Sequence, residues 1–258
     1  MILTGDYHTH TPYSHGKNTV EENVLRAKEL GLKELGITDH GLSHVAFGLR
    51  RKKIKDYIKD CRAAQEKYGV KVLVGLEANI CGEKGKCDLT PDDYPQFDLY
   101  LCGKHTFVWY STFADMCKYG GGNFLTDKLS LTPSKKLVAR NTAAYIAAIK
   151  NNPIDAVTHL SYRCPCDTLE VAKCAADYGT YIELNAAKQH LLDEQLGEMI
   201  AKTDVRFIIG SDAHSIKRIG DTAFVEEQLS RLQFPMDRID NIEGRTPNFR
   251  FAAYKQKQ

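Results

Sequence analysis

The chain has 258 residues, with 35 Lys+Arg against 33 Asp+Glu and a formal net charge of +2, so no global field argues for nucleic acid or an anionic membrane surface. No stretch is apolar for the ~18 residues a membrane span needs, and the N-terminal MILTGDYHTH places no cationic segment before an apolar run; a cytoplasmic protein is expected. Eight cysteines in a chain long enough to bury its own core do not read as a disulfide scaffold, and Cys164-Pro-Cys166 lacks the spacing of a zinc knuckle.

Apolar runs of strand length alternate with helical patterns along the chain. Tyr7 to His10 is followed by a helix over Thr19 to Leu30, and Glu34 to Thr38 by one over Lys53 to Tyr68. Val70 to Ala78 and Leu99 to Gly103 are the next strands. Residues 79–98 and 107–134 interrupt the pattern with Gly, Cys, Asp and Pro, as a substrate loop would. A helix over Lys135 to Lys150 then leads to a strand at Ala156 to His159, one over Leu169 to Tyr178 to a strand at Tyr181 to Asn185, and one over Glu194 to Lys202 to a strand at Val205 to Gly210. Thr19 with Glu22 has the spacing of a capping box, and Gly31, Gly69 and Gly179 stand where helices would stop. Seven strands alternating with helices imply a parallel sheet, either open and doubly wound or closed into a barrel. No Gly-rich nucleotide fingerprint follows a strand, which weakens the nucleotide-binding form of the open sheet. No repeat, low-complexity tract or linker marks a boundary, so one domain over 1–258 is expected.

Seven of the nine histidines lie at or just beyond the end of a strand-like run. They are His8, His10, His15, His40, His105, His159 and His214, joined by Glu77 and Asp212. In a parallel barrel those ends open onto one face. Imidazole and carboxylate together suit Zn, Mn or Fe, and a carboxylate can bridge two ions. A lone histidine is more often a packing residue; nine such groups at equivalent strand ends would be a costly buried polar cluster without metal. Of the other two histidines, His44 stands near the proposed site, as a substrate contact, a proton donor or a solvated loop residue, and His190 is read as structural or superficial.

These residues resemble the PHP domain family of polymerases and histidinol phosphatases. The resemblance covers nearly the whole chain: His8-Thr-His10 with Ser14 and His15, Thr38-Asp39-His40, Gly75-Leu-Glu77-Ala-Asn79, His105, His159 and Ser211-Asp-Ala-His214. The stretches around Glu77 and Asp212 are most similar to the stand-alone YcdX-like phosphatases. The resemblance implies a distorted seven-stranded TIM-like (β/α)7 barrel, an α/β fold with up to three divalent ions. One ion would be held by His8, His10, Glu77 and Asp212, a second by Glu77 with His105 and His159, and a third by His15, His40 and His214. Asp39 would orient a ligand rather than bind metal.

The expected function is hydrolysis of a small-molecule phosphomonoester by a metal-activated hydroxide, with Glu77 and Asp212 holding the ions and Arg163 and Lys104 meeting the phosphate; Lys188 and Arg218 are weaker candidates for that role. No Gly-x-Ser-x-Gly elbow or catalytic cysteine signature offers another nucleophile. Histidinol-phosphate phosphatase is the alternative with a named substrate. A 3′–5′ exonuclease would need a basic groove with stacking rings, for which Trp109, Tyr110 and Phe113 are the aromatic candidates. A metal-storing or scaffolding protein is the non-enzymatic alternative. A homo-oligomer is compatible with all of these; a membrane partner is not expected.

Overall fold

A computed structural model of the chain describes residues 1–257. Seven parallel strands lie in chain order: β1 (Gly5–Thr9), β2 (Glu34–Ile37), β3 (Lys71–Asn79), β4 (Leu99–Gly103), β5 (Ala156–Val157), β6 (Tyr181–Asn185) and β7 (Phe207–Gly210). Around them run α1 (Val20–Glu29), α2 (Ile54–Tyr68), the short α3 (Phe113–Asp115) and α4 (Gly122–Lys128), α5 (Lys135–Asn151), α6 (Thr168–Tyr178), α7 (Asp193–Lys202), α8 (Ala223–Leu232) and α9 (Arg250–Lys255). This is the α/β barrel of the two expected closures.

Local chemistry sets the helix ends. Thr19 and Glu22 form the reciprocal capping box at α1, and Gly69 and Gly179 take the left-handed conformation that stops α2 and α6. The segment expected to be irregular after β4 instead contains α3 and α4, joined by a wide turn of helix over Met116–Gly121. Its helical period is broken by Gly120, Gly121 and Gly122, which hides it from a sequence reading. Seven of the eight cysteines are buried, and Cys117 on this wide turn is exposed.

The ring closes imperfectly. At its upper end Thr9 bridges to Ala213, with His10 N donating to Ala213 O at 2.9 Å and Ala213 N to His8 O at 3.1 Å. Lower down, β1 and β7 are joined by a side chain. The buried Asn241 donates from Nδ2 to Gly5 O (2.9 Å) and Ile209 O (2.7 Å) and accepts from Ile209 N (2.9 Å). One amide thereby satisfies backbone groups that would otherwise be orphaned between the splayed strands.

The interior is layered. Tyr7, Leu99, Leu101, Ala156, Tyr181 and Ile208 pack into an apolar floor. A register shift between Asp6 and Thr9 in β1 is a bulge, which lets Tyr7 join the floor while His8 and His10 reach the layer above it. A larger apolar core lies around the strands and takes in Val24, Tyr57, Tyr145, Val171 and Leu196 from the helices. Among the described residues no helix is long and apolar enough to cross a membrane.

Candidate metal centre

The layer above the floor begins with two buried carboxylates. Glu77 on β3 and Glu183 on β6 are each at most 2% exposed. Above them sit the imidazoles, and all nine histidines of the chain belong to one network of ring contacts. His10 stacks on His214 at 4.2 Å and lies 4.5 Å from His40 between ring centroids, and His15 lies 4.8 Å from His40.

Glu77 is the hub. Its Oε1 lies 2.7 Å from His159 Nε2 and 3.3 Å from both His8 Nε2 and His105 Nε2, and its Oε2 lies 2.8 Å from His40 Nδ1. Asp212 Oδ1 is 3.3 Å from His10 Nε2 and 3.7 Å from His8 Nε2. Burial pushes both carboxyls up, but the imidazoles outweigh it: His105, His8 and His159 hold Glu77 well below its usual range, and His8 and His10 do the same for Asp212. Burial and the neighbouring His40 push His15 down to about 4, so it stands ready as a neutral donor.

The strand ends aim these groups through unusual backbone. His159 (φ 30°), Arg163 (φ 49°) and Asp212 (φ 49°) all sit at positive φ, a conformation that costs free energy and concentrates at functional sites. Two glycines leave room for the site. A Cβ at Gly103 would lie 2.8 Å from His159 Cε1, and one at Gly210 would lie 2.1 Å from Glu183 Oε1.

Whether the site fits metal is tested by its unsatisfied atoms. His8 Nε2, both nitrogens of His10, His40 Nδ1, Glu77 Oε2, His159 Nδ1 and His214 Nε2 are shielded from water and make no hydrogen bond. Each such group costs roughly 1–3 kcal/mol if left alone. Ligating atoms fall within 4.8 Å of one another in three sets, His8/His10/Glu77, His40/Glu77/His105 and His10/His40/His214. Nitrogen and oxygen donors of this kind suit Zn, Mn or Fe, so the residues fit divalent ions.

Behind the ligating atoms lie carboxylates and amides that orient them. Glu183 Oε1 accepts from His8 Nδ1 at 2.6 Å, and its Oε2 accepts from His159 N at 2.8 Å and Asn185 Nδ2 at 3.0 Å. His105 Nδ1 donates to Asn79 Oδ1 at 2.8 Å. Asp39 accepts from Thr11 N (2.8 Å), Ser14 N (3.1 Å) and the hydroxyls of Thr11 and Ser14, tying the β1 loop to β2. Such partners fix the tautomer and aim of a ligating imidazole. Glu183 escaped the sequence reading; the available signal was an acidic residue inside the otherwise apolar run of β6.

The other candidates are placed differently. His190, read from sequence as structural or superficial, lies 5.6 Å from His159 and 4.8 Å from Tyr162 between ring centroids, and both its ring nitrogens are shielded and unpaired. Lys188 donates to Tyr162 Oη at 2.6 Å, and the Arg163 guanidinium lies over the same ring at 5.1 Å while pairing with Asp127 at 3.3 Å. Lys104, beside His105 in the chain, is 2% exposed with an unpaired Nζ, and its charged or thiol neighbours are Cys164, Asp127 and Arg163. Arg218 is occupied by Ala186 O and Asp221. Trp109 and Phe113 are 71% and 77% exposed in a groove of about 550 Å³ after β4 that includes no lysine or arginine.

The chain is similar to known proteins over most of its length. A probable phosphatase of Caldanaerobacter subterraneus subsp. tengcongensis is 31% identical over 255 residues, covering 93% of this chain and 88% of its own. A probable phosphatase of Aliivibrio fischeri is 28% identical over 254 residues, covering 93% and 89%. The fold is shared with a histidinol phosphate phosphatase of Lactococcus lactis subsp. lactis, solved with zinc, L-histidinol and phosphate, at a TM-score of 0.61 and 15% identity, over 96% of this chain and 100% of that one. It is also shared with a putative histidinol phosphatase of Listeria monocytogenes at a TM-score of 0.58 and 18% identity, over 84% and 97%. The model of the PHP domain matches residues 6–202, and the chain belongs to the PHP domain family.

Proposed function

We propose that this chain is a metal-dependent phosphatase that hydrolyses a small-molecule phosphomonoester at a cluster of three divalent ions. The observation that carries the reading is the set of water-shielded ring nitrogens and a carboxylate oxygen that crowd around Glu77 and Asp212 without forming hydrogen bonds. His8, His10, Glu77 and Asp212 would hold one ion, Glu77, His105 and His159 a second, and His15, His40 and His214 a third. Divalent ions there offset the charge of phosphoryl oxygens and lower the pKa of water, so the nucleophile need not come from the protein.

The chain's own groups do the rest. Glu183 and Asn79 keep the His8 and His105 imidazoles aimed, and Asp39 holds the loop that carries His15. Arg163 and Lys188 stand with His190 around Tyr162 on the His159 side, where they would meet the remaining phosphoryl oxygens. Lys104 would reach that side only by leaving its buried position. The groove after β4 favours a metabolite over a nucleic acid, because its exposed rings are apolar and lack the cations that track a backbone. Histidinol phosphate is one candidate substrate, supported by the shared barrel alone.

The test is elemental analysis of the purified protein beside hydrolysis of p-nitrophenyl phosphate and single-stranded DNA. Two to three ions per chain with monoester turnover are expected. Stoichiometric metal absent even after Mn or Zn reconstitution would overturn the site, and cleavage of DNA alone would overturn the substrate class.

A further inference from the structure

His44 lies outside every ligand set above, yet its surroundings are more exacting than those of a loop histidine. Its backbone is held at both ends: His44 N donates to Gly41 O at 3.2 Å, and its carbonyl accepts from Gly48 N at 3.1 Å. The next residues pair with the loop after β4, where Val45 N donates to Phe107 O at 2.8 Å and Trp109 N to Ser43 O at 3.0 Å. Ser43 is further anchored by Asp88, which accepts from both its backbone N–H and its hydroxyl at 2.7 Å. The ring therefore projects from a fixed two-stranded ribbon.

Its direction is equally defined. The ring lies 5.4 Å from His40 in a stacked arrangement and 6.3 Å from His105, with Phe47 covering both His44 and His15 at 5.4 Å and 4.8 Å. The Phe47 backbone N–H donates to His44 Nδ1 at 3.0 Å. A backbone amide can only donate, so Nδ1 is the acceptor and the ring proton sits on Nε2. Among the described residues the ring makes a hydrogen bond only through Nδ1, and Nε2 is not among the water-shielded atoms, so its N–H is open to an incoming group at the rim of the cluster. A donor held in one tautomer and met only by water is available to a bound anion.

Resting on the phosphatase reading, we propose that His44 is a substrate-contact residue whose Nε2–H donates a hydrogen bond to a phosphoryl oxygen bound at the His40/His105 side of the cluster. It serves neither as a metal ligand nor as a base. The ribbon and the Phe47 amide fix its tautomer before the anion arrives, so no reorganisation is needed on binding.

Two variants separate the halves of the ring. His44→Asn keeps an acceptor for the Phe47 N–H and removes the distal donor; His44→Gln keeps a donor near Nε2 and gives up the loop contact. Each would be metal-loaded, its ions counted by elemental analysis, its affinity for inorganic phosphate measured by calorimetry, and its KM and kcat taken with p-nitrophenyl phosphate. The expected result is a full complement of ions in both, phosphate affinity weakened about tenfold or more in His44→Asn with a matching rise in KM, and affinity within about threefold of the parent in His44→Gln. Parent-like phosphate binding in His44→Asn would overturn the proposal, as would weakened binding in His44→Gln alone, the mark of a merely structural loop residue. Loss of an ion in either variant would make His44 a ligand and overturn it too. A fully loaded parent that neither binds phosphate nor turns over the ester would instead bring down the phosphatase reading on which the proposal rests.

Discussion

Replacing Glu183 with glutamine tests whether the cluster depends on the groups behind it. Glu183 meets three donors, His8 Nδ1 at 2.6 Å, His159 N at 2.8 Å and Asn185 Nδ2 at 3.0 Å. Glutamine presents one oxygen and one NH2, so it can accept from His8 only by turning its NH2 toward two other donors, or the reverse. The charge that keeps the His8 proton on Nδ1, and Nε2 free, is removed in either case. A hydrogen bond to a charged group contributes roughly 1.5–3 kcal/mol, which corresponds to about 10- to 150-fold, and loss of a partner that orients a ligand costs about 10–100-fold in metal affinity or activity. The two scales overlap. Calorimetric titration of the metal-free variant with Mn or Zn should therefore show the tightest site weakened about 10- to 100-fold, with kcat on p-nitrophenyl phosphate falling in step. Metal affinity within twofold of the parent would refute the argument that Glu183 sets the His8 tautomer.

Three further outcomes follow from the same geometry. Asp212→Asn keeps a side chain that tolerates positive φ but loses the charge facing His8 and His10, so metal content and turnover should fall together; elemental analysis showing full metal with lost turnover would separate the two roles. Stripping metal with a chelator should lower the melting temperature, because ions bound only to the folded chain stabilise it by mass action, roughly 2.7 kcal/mol at a hundredfold excess over Kd; an unchanged melting temperature in scanning calorimetry would count against ion binding. Asp155, fully buried below β5, accepts from Tyr100 N at 2.9 Å and Phe251 N at 2.8 Å, and burial pushes its carboxyl up to about 7 from 3.8. The folded state then binds the proton more tightly than the unfolded one, so this contribution is fully present below about pH 4 and is lost as pH rises through about 7, by at most roughly 4 kcal/mol. Urea unfolding of metal-loaded parent and Asp155→Asn at pH 5 and pH 7.5 should show a shallower pH dependence in the variant; equal dependence would refute the assignment.

Much of this site was legible because strand ends in a parallel barrel share one face. His40, His105, His159 and Asp212 each come just after an apolar run, so position along the chain translated directly into position in space. Adjacency in the chain misled where side chains alternate. Lys104 is next to His105 yet has Cys164 and Asp127 as neighbours, whereas His190, distant from every ligand in sequence, touches the His159 ring. Glu183 was hidden because an acid inside a strand carries no periodic signature until its neighbours are known. Asn241 was hidden for the same reason: an amide that joins β1 to β7 depends on a gap between strands that no local pattern records.

The exposed Cys117 gives the segment after β4 an experimental handle that needs no engineering. The other seven thiols are buried, so a maleimide dye applied to the folded chain should attach at this one place, on the wide turn between α3 and α4. The turn belongs to the same excursion that carries His105 at its start and Phe107, Trp109 and Phe113 along the groove. A fluorophore there would report, by polarisation or quenching by Trp109, whether that excursion changes its motion as metal and then phosphate are added. The native sequence thus already contains its own reporter of loop motion.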